Sequence, residues 1–209
     1  MEFISSRLFF NIPNRKELLF MVFNFVLSAI QTLVARLTDA TPKTNRLRKQ
    51  MPKIELRTEI KSTLEICFDL SRSIELHKIS TAQTKEQAIA GKTSGLIKLN
   101  QTVTWQATHF GIKQKLTSKI TAFDRPNYFV DEQIEGIFKL IYHKHDFKRS
   151  ADKVIMIDSF EFHSPFGIFG RIFNNLVLTN YLKKLLINRN QIIKEFAETE
   201  KWKEVLNRE

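Results

Sequence analysis

The sequence is nearly free of cysteine, since Cys67 is the only one among 209 residues. An intrachain disulfide is therefore excluded, which fits a protein of a reducing compartment, and we predict a cytoplasmic location. Cys67 follows Ile66 and precedes Phe68. A thiol in such apolar surroundings is typical of a buried, unreactive side chain and not of a nucleophile.

The sequence also lacks the motifs of several common enzyme classes. It contains no glycine-rich phosphate loop of the P-loop or dinucleotide-binding kind, because Gly91-Lys92-Thr93 has no glycine at the required distance upstream. It contains no Gly-x-Ser-x-Gly segment, which is the nucleophile turn of the α/β-hydrolases. Nucleotide-dependent and serine-hydrolase functions are therefore not expected.

A concentrated basic segment is missing too, although the formal net charge is +11. Residues 1–50 contribute eight Lys/Arg and three Asp/Glu, or +5, and the remaining residues contribute +6. Cations are spread along the chain, including Lys113, Lys115 and Lys119 on a predicted strand and Lys183, Lys184 and Arg189 on the last helix. We therefore predict no nucleic-acid partner. The spread of positive charge fits attraction to an anionic membrane surface at least as well as it fits nucleic-acid binding.

The first fifty residues contain an uncharged run over 18–35, flanked by Lys16 and Arg36. Its 18 residues are near the lower limit for a membrane span. Three interpretations stay open: a membrane-anchor helix over 18–36, a disordered extension, or an over-extended gene start with Met51 as the natural beginning. We accordingly divide the chain into an N-terminal extension (1–50), a main domain (51–200) and a C-terminal tail (201–209).

The pattern of the main domain predicts one strand, two short helices, six further strands and a long final helix. The strands are predicted at 53–60, 84–91, 96–110, 112–123, 128–135, 137–147 and 154–163, and the short helices at 64–70 and 74–79. The final helix is predicted over 164–199, with Ser164 as its N-cap and Pro165 in its first turn. Short connections indicate an antiparallel meander, so the fold class is α+β.

Side chains two positions apart on a strand share a face, and three predicted strands place polar residues among apolar ones. Trp105 aligns with His109, Phe129 aligns with Asp131, and the His143-x-His145 pair aligns with Phe147. If these faces all point inward, an apolar hollow contains a polar island made of His109, Asp131, Gln133, His143 and His145.

The order of elements and several spacings resemble the START/Bet v 1-like (SRPBCC) superfamily, and most closely its bacterial polyketide-cyclase-like ligand-binding branch. The spacings are Phe129-x-Asp131-x-Gln133-x-x-Gly136-x-Phe138, His143-x-His145-x-Phe147 and the segment Ser164-Pro165-Phe166-Gly167-Ile168-Phe169-Gly170. The resemblance implies a helix-grip fold, in which a curved seven-stranded antiparallel sheet wraps around a long C-terminal helix and two short helices close one end. It also implies a cavity for a lipid, sterol, quinone or polyketide.

The polar island allows two further interpretations. His143 and His145 could share a metal ion with His109 or Asp131 as a third ligand, but no closed zinc motif is present, and we predict no metal and no cofactor. Asp131 could instead tune the imidazole of His143 for acid–base chemistry of a cyclase or dehydratase. Polar groups in pockets more often orient a ligand than react with it.

The sequence therefore favours a protein that binds or carries a hydrophobic small molecule and has no assigned catalytic residue. Alternatives are an enzyme that uses His143 and Asp131, and an accessory protein tethered to a membrane by residues 18–36. The oligomeric state and the ligand's identity are not specified. The predicted ligand-binding residues are Trp105, His109, Phe129, Asp131, Gln133, His143, His145, Phe147, Phe169 and Phe173.

Overall fold

Seven antiparallel strands form one sheet within the residues described by the computed structural model, which are 52–109, 111–163 and 177–206. The spatial order is β1-β7-β6-β5-β4-β3-β2. The strands are β1 (Lys53–Ile60), β2 (Gln87–Gly91), β3 (Thr102–His109), β4 (Ile112–Asp124), β5 (Tyr128–Glu135), β6 (Leu140–Ser150) and β7 (Lys153–His163). The predicted seven-stranded antiparallel sheet is thus confirmed.

Strands β2 to β7 follow one another as neighbours, as the short connections predict. β1 then pairs with β7 along its whole length, from Lys53 opposite Glu161 to Ile60 opposite Val154. The first and last strands therefore lie side by side. This pairing is non-local, so no turn signal in the sequence indicates it.

Two short helices, α1 (Leu64–Ser71) and α2 (Ile74–Ser80), follow β1 at the predicted positions. Each begins at a hydroxyl cap: Thr63 Oγ1 accepts a hydrogen bond from the amide of Ile66 at 3.2 Å, and Ser73 Oγ accepts one from Leu76 at 3.3 Å. Such caps satisfy amides that have no partner within the helix.

The long helix α3 spans Thr179–Glu198, and Thr199 is its C-cap, in agreement with the predicted end. Its predicted start at Ser164 lies outside the described residues. A further short helix, α4 (Trp202–Leu206), occupies part of the segment predicted as a tail. Its Val205 is buried in the core, so the packed domain continues past residue 200.

Three predicted strands have wrong boundaries. The strand predicted over 84–91 begins at Gln87, because Ala82–Thr84 form a short 3-10 helix. The strand predicted from 96 starts at Thr102, because the amide of Ile97 donates to the carbonyl of Arg72 and Asn100 adopts a positive φ of 65°. Ile97 therefore lies at the corner between α1 and α2, whereas Asn100 donates to the carbonyl of Ile120 on β4. The strand predicted over 137–147 is shifted and occupies Leu140–Ser150.

Gly91 ends β2 in a conformation that a larger residue would strain. Its φ is +72°, and a Cβ atom there would lie 2.3 Å from the carbonyl oxygen of Thr102 on β3. Glycine allows both the left-handed backbone and the close strand approach. β2 therefore ends at residue 91, as the sequence predicted.

The predicted N-terminal extension, including the candidate anchor over 18–36, lies outside the described residues. Among the residues that are described, no helix combines the length and the apolar character needed to span a membrane.

Two groups of apolar side chains fill the interior between the sheet and the helices. The larger cluster is centred on Phe68 and includes Trp105, Phe129, Phe147 and Ile193. The smaller cluster consists of the buried residues Ile54, Ile141, Phe162, Leu178 and Leu186, with Leu56, Leu116, Phe138, Phe160, Tyr181 and Leu182 partly buried around them. Leu116 packs against both clusters.

Cys67 is fully buried in the larger cluster, and burial raises the pKa of its thiol to about 12. Because the thiolate is the reactive form, we expect no reaction with Ellman's reagent near pH 8 while the protein is folded. One equivalent should react after denaturation in guanidinium chloride. Rapid labelling of the folded protein would contradict the burial of this side chain.

Candidate functional site

Polar side chains cross the interior between the two apolar clusters. On β6 the inward face runs from Phe147 in the larger cluster, through His145 and His143, to Ile141 in the smaller one. β7 and α3 repeat this order of apolar, polar and apolar residues. The resulting polar belt consists of Asp131 on β5, His143 and His145 on β6, Asp158 on β7, and Arg189 and Asn190 on α3.

Asp158 is the centre of the polar belt and is completely buried. Its carboxylate accepts hydrogen bonds from His143 Nε2 at 3.0 Å and from Asn190 Nδ2 at 2.6 Å. His145 Nδ1 lies 2.6 Å and Arg189 Nη1 lies 3.7 Å from the same carboxylate. One carboxylate therefore connects two strands to the long helix.

The charge states of the polar belt follow from burial and pairing. Burial alone would raise the pKa of Asp158, but the imidazoles of His145 and His143 more than compensate and hold it well below its usual range. Burial lowers the pKa of His145 to about 3, so this imidazole is neutral at physiological pH. Burial also lowers the pKa of Arg189, against the opposing effect of Asp158.

Asp131 differs from Asp158 in having few partners. Burial raises the pKa of its carboxyl group, although the nearby side chains of His143, His77 and Arg189 partly oppose this shift. Within the described part of the chain, no hydrogen bond reaches this carboxylate. Polar groups in a protein interior are usually hydrogen-bonded, so the half-buried Asp131 is a candidate for contact with a ligand.

A small cavity lies between the polar belt, strands β3–β5 and the corner of α1 and α2. Its volume is about 30 Å³, which admits about two water molecules and not a sterol or lipid chain. Its polar walls are Ser71, Arg72, Ser73, His77, Ser118, Asp131, His145 and Arg189, and its apolar walls are Ile74, Ile97, Val103, Trp105, Ile120 and Phe129.

Three nitrogen atoms of cavity-lining residues lack a hydrogen bond within the described structure: Arg189 Nη1, His145 Nδ1 and His77 Nε2. Arg189 does donate from Nη2 to the carbonyl of Ser71 at 2.6 Å. His145 Nδ1 is close to Asp158 but is not aligned with it for a hydrogen bond. The cavity wall therefore retains hydrogen-bonding capacity that a bound molecule could satisfy.

A second polar group borders the cavity near the start of α3. The ring of His77 stacks on Trp105 with centroids 4.1 Å apart, and His77 Nε2 lies 3.4 Å from Glu86. His109 Nδ1 is hydrogen-bonded to the hydroxyl of Tyr181 at 2.9 Å, and burial lowers the pKa of this imidazole. These contacts connect α2, β3 and α3.

The structure brings four of the predicted site residues to the cavity: Trp105, Phe129, Asp131 and His145. The other predicted residues lie elsewhere. His143 is held by Asp158, His109 by Tyr181, and Gln133 donates to the carbonyl of Phe138 at 2.6 Å. Phe147 packs on Phe68 in the larger cluster, with centroids 5.5 Å apart. Phe169 and Phe173 lie outside the described residues.

Sequence reasoning missed Asp158, Arg189 and Asn190, although each interrupts an apolar pattern. Asp158 lies two positions from Met156 and Phe160 on an inward face. Arg189 and Asn190 occupy the buried stripe of α3 between Leu186 and Ile193. Polar residues at positions where the period requires apolar ones were the available signal.

Comparisons with solved structures agree with this architecture. Protein TTHA0849 of Thermus thermophilus aligns with a TM-score of 0.55 and 16% identity, over 68% of this chain and 97% of that one. Major latex-like protein 151 of Panax ginseng aligns with a TM-score of 0.53 and 18% identity, over 71% of this chain and 99% of that one. Ara h 8.0201 aligns with a TM-score of 0.54 and 13% identity, over 70% of this chain and 97% of that one. No protein-family model and no curated protein sequence matches the chain.

These likenesses show the fold alone, because the sequence identities are low. The chain has the Bet v 1-like helix-grip fold that its sequence predicted. The functional interpretation depends on the polar belt and the cavity themselves.

Proposed function

We propose that this protein binds or carries a hydrophobic small molecule, such as a lipid, quinone, sterol or polyketide-like compound, whose polar end lies at the polar belt. The observation that carries this proposal is the cavity wall, where Arg189 Nη1 and the carboxylate of Asp131 have no hydrogen bond within the described residues and lie among apolar as well as polar side chains. Burying charged groups is costly and seldom increases stability. A ligand with an oxygen-bearing end would use them.

The apolar walls of the cavity belong to the larger cluster, and the apolar body of such a ligand would extend from there past the polar belt to the smaller cluster. Several of its members are only partly buried, among them Leu116, Phe138, Phe160 and Leu182. Covering about 300 Å² of ligand surface would contribute about 7 kcal/mol, of which association costs remove several. Affinity in the micromolar range therefore needs no chemical step.

The volume of the cavity determines what can enter it. At about 30 Å³ it accepts a polar end group and no more. The rest of the ligand must displace or spread the partly buried side chains around the smaller cluster. Ligand binding thus requires rearrangement of the apolar interior beside α3.

The geometry favours binding over acid–base chemistry by His143 and Asp131. His143 donates from Nε2 to Asp158 and is not among the residues that line this cavity. A general base must reach the proton that it removes. Catalysis of the cyclase or dehydratase type by this pair is therefore the weaker candidate.

The proposal predicts that the full chain binds at least one member of a panel of palmitate, cholesterol and a short-chain ubiquinone, with a Kd on the order of micromolar. Leu182→Asp should weaken that binding at least tenfold, since it places a charge among the apolar side chains of the smaller cluster. Isothermal titration and native mass spectrometry measure both effects.

Ile187→Asp is the matched control, because Ile187 lies on the same helix but is 48% exposed. This variant should bind like the parent protein. The proposal fails if the full chain binds none of the three probes, or if Leu182→Asp and Ile187→Asp bind the probe equally well.

A further inference from the structure

The β5–β6 pairing places three metal-ligating side chains together. Asp131 lies directly opposite His143 in the register, and His145 is two positions further along the same face. One donor atom from each residue lies within 4.8 Å of the others. Ligand atoms around a tetrahedral zinc ion are about 3.3 Å apart, so small side-chain rotations would close the site.

Asp158 contacts one ring nitrogen of each imidazole. It accepts a hydrogen bond from His143 Nε2 and lies beside His145 Nδ1. The other ring nitrogens, His143 Nδ1 and His145 Nε2, are therefore the ones left for a metal. A carboxylate that holds the far nitrogen of a ligating histidine is the usual outer support of protein metal sites.

The ligand set also suits a cation. A bound metal requires Asp131 in its deprotonated form, so the carboxylates of Asp131 and Asp158 would together offset the charge of a divalent ion beside Arg189. The imidazoles are ligands in their neutral form. The carboxylate of Asp131 has no hydrogen bond within the described residues, so it does not have to give up a partner to bind a metal.

We propose that Asp131, His143 and His145 bind a divalent transition-metal ion such as zinc. Two nitrogens and one oxygen suit zinc, iron or cobalt better than calcium or magnesium, which prefer oxygen ligands alone. Asp131 and His145 also line the cavity, so the remaining coordination position faces it. Three protein ligands with one open position are characteristic of zinc sites that bind water or a small molecule.

The proposed site departs from the sequence-based prediction of no metal. That prediction depended on the absence of a closed motif along the chain, whereas Asp131 and the two histidines come together only across the strand pairing. The proposed metal site does not require the proposed apolar ligand, and each can be tested without the other.

The experiment uses the full chain, freed of metal with EDTA and dialysed against zinc chloride. Plasma mass spectrometry should find about one zinc per chain, and competition with a chromophoric chelator gives the affinity. Asp131→Asn and His145→Gln should each weaken zinc binding at least a hundredfold. Asp158→Asn should weaken it by about 10- to 100-fold, as for other outer-shell partners.

His163→Gln is the matched control, since His163 ends β7 outside the site, and it should bind zinc like the parent protein. Cobalt substitution provides a second readout: the parent protein should develop visible d–d bands that Asp131→Asn lacks. Circular dichroism verifies that Asp131→Asn, a change at a half-buried position, is folded. A parent protein that stays metal-free in micromolar zinc overturns the proposal, as does unchanged affinity in folded Asp131→Asn.

Discussion

Replacing Asp158 by alanine is expected to lower the free energy of unfolding by about 3–5 kcal/mol. Asp158 is fully buried, and its loss leaves Arg189 as an uncompensated buried charge. It also removes the acceptor of the hydrogen bonds from His143 and Asn190. Urea unfolding followed by circular dichroism, with and without the substitution, measures the difference.

An exposed ion pair is the appropriate comparison for this variant. Lys153 and Glu59 are 3.2 Å apart, with side chains 37% and 53% exposed. Glu59→Ala should change stability by less than about 1 kcal/mol, because water screens such pairs. If Asp158→Ala proves no more destabilising than Glu59→Ala, then the polar belt does not connect sheet and helix as described.

Phe68→Ala is expected to cost a similarly large amount, about 3–5 kcal/mol. Phe68 is fully buried, and its ring meets those of Phe123, Phe129 and Phe147 edge-on at centroid distances of 5.2, 5.4 and 5.5 Å. Truncation leaves a void that the rigid strands around it fill only in part. The urea midpoint should fall while the dependence of stability on denaturant stays unchanged.

Phe68→Leu separates the loss of the aromatic ring contacts from the loss of apolar side-chain volume. Leucine retains most of the apolar volume, so this variant should lose clearly less stability than Phe68→Ala. Equal losses in the two variants would contradict a cost set by cavity volume. Both changes lie in the larger cluster, and neither alters a proposed metal ligand.

The strand faces were predictable because alternation is a local property of the chain. Trp105, Phe129 and His145 all point inward, as their two-residue spacing indicates. The caps of α1 and α2 were likewise local, since Thr63 and Ser73 bond to amides three positions away. The start of β3 was mispredicted, because the segment before it bonds to Arg72 in a distant turn.

The sequence by itself therefore determined the order of the elements, the inward faces of β3, β5 and β6, and the helix-grip class. Only the tertiary structure decided which polar side chains meet. Asp158 reaches His143, 15 positions earlier, and Asn190, 32 positions later. Both contacts exist because β7 pairs with β6 and α3 packs over that face, so the belt depends on distances in space that no sequence period encodes.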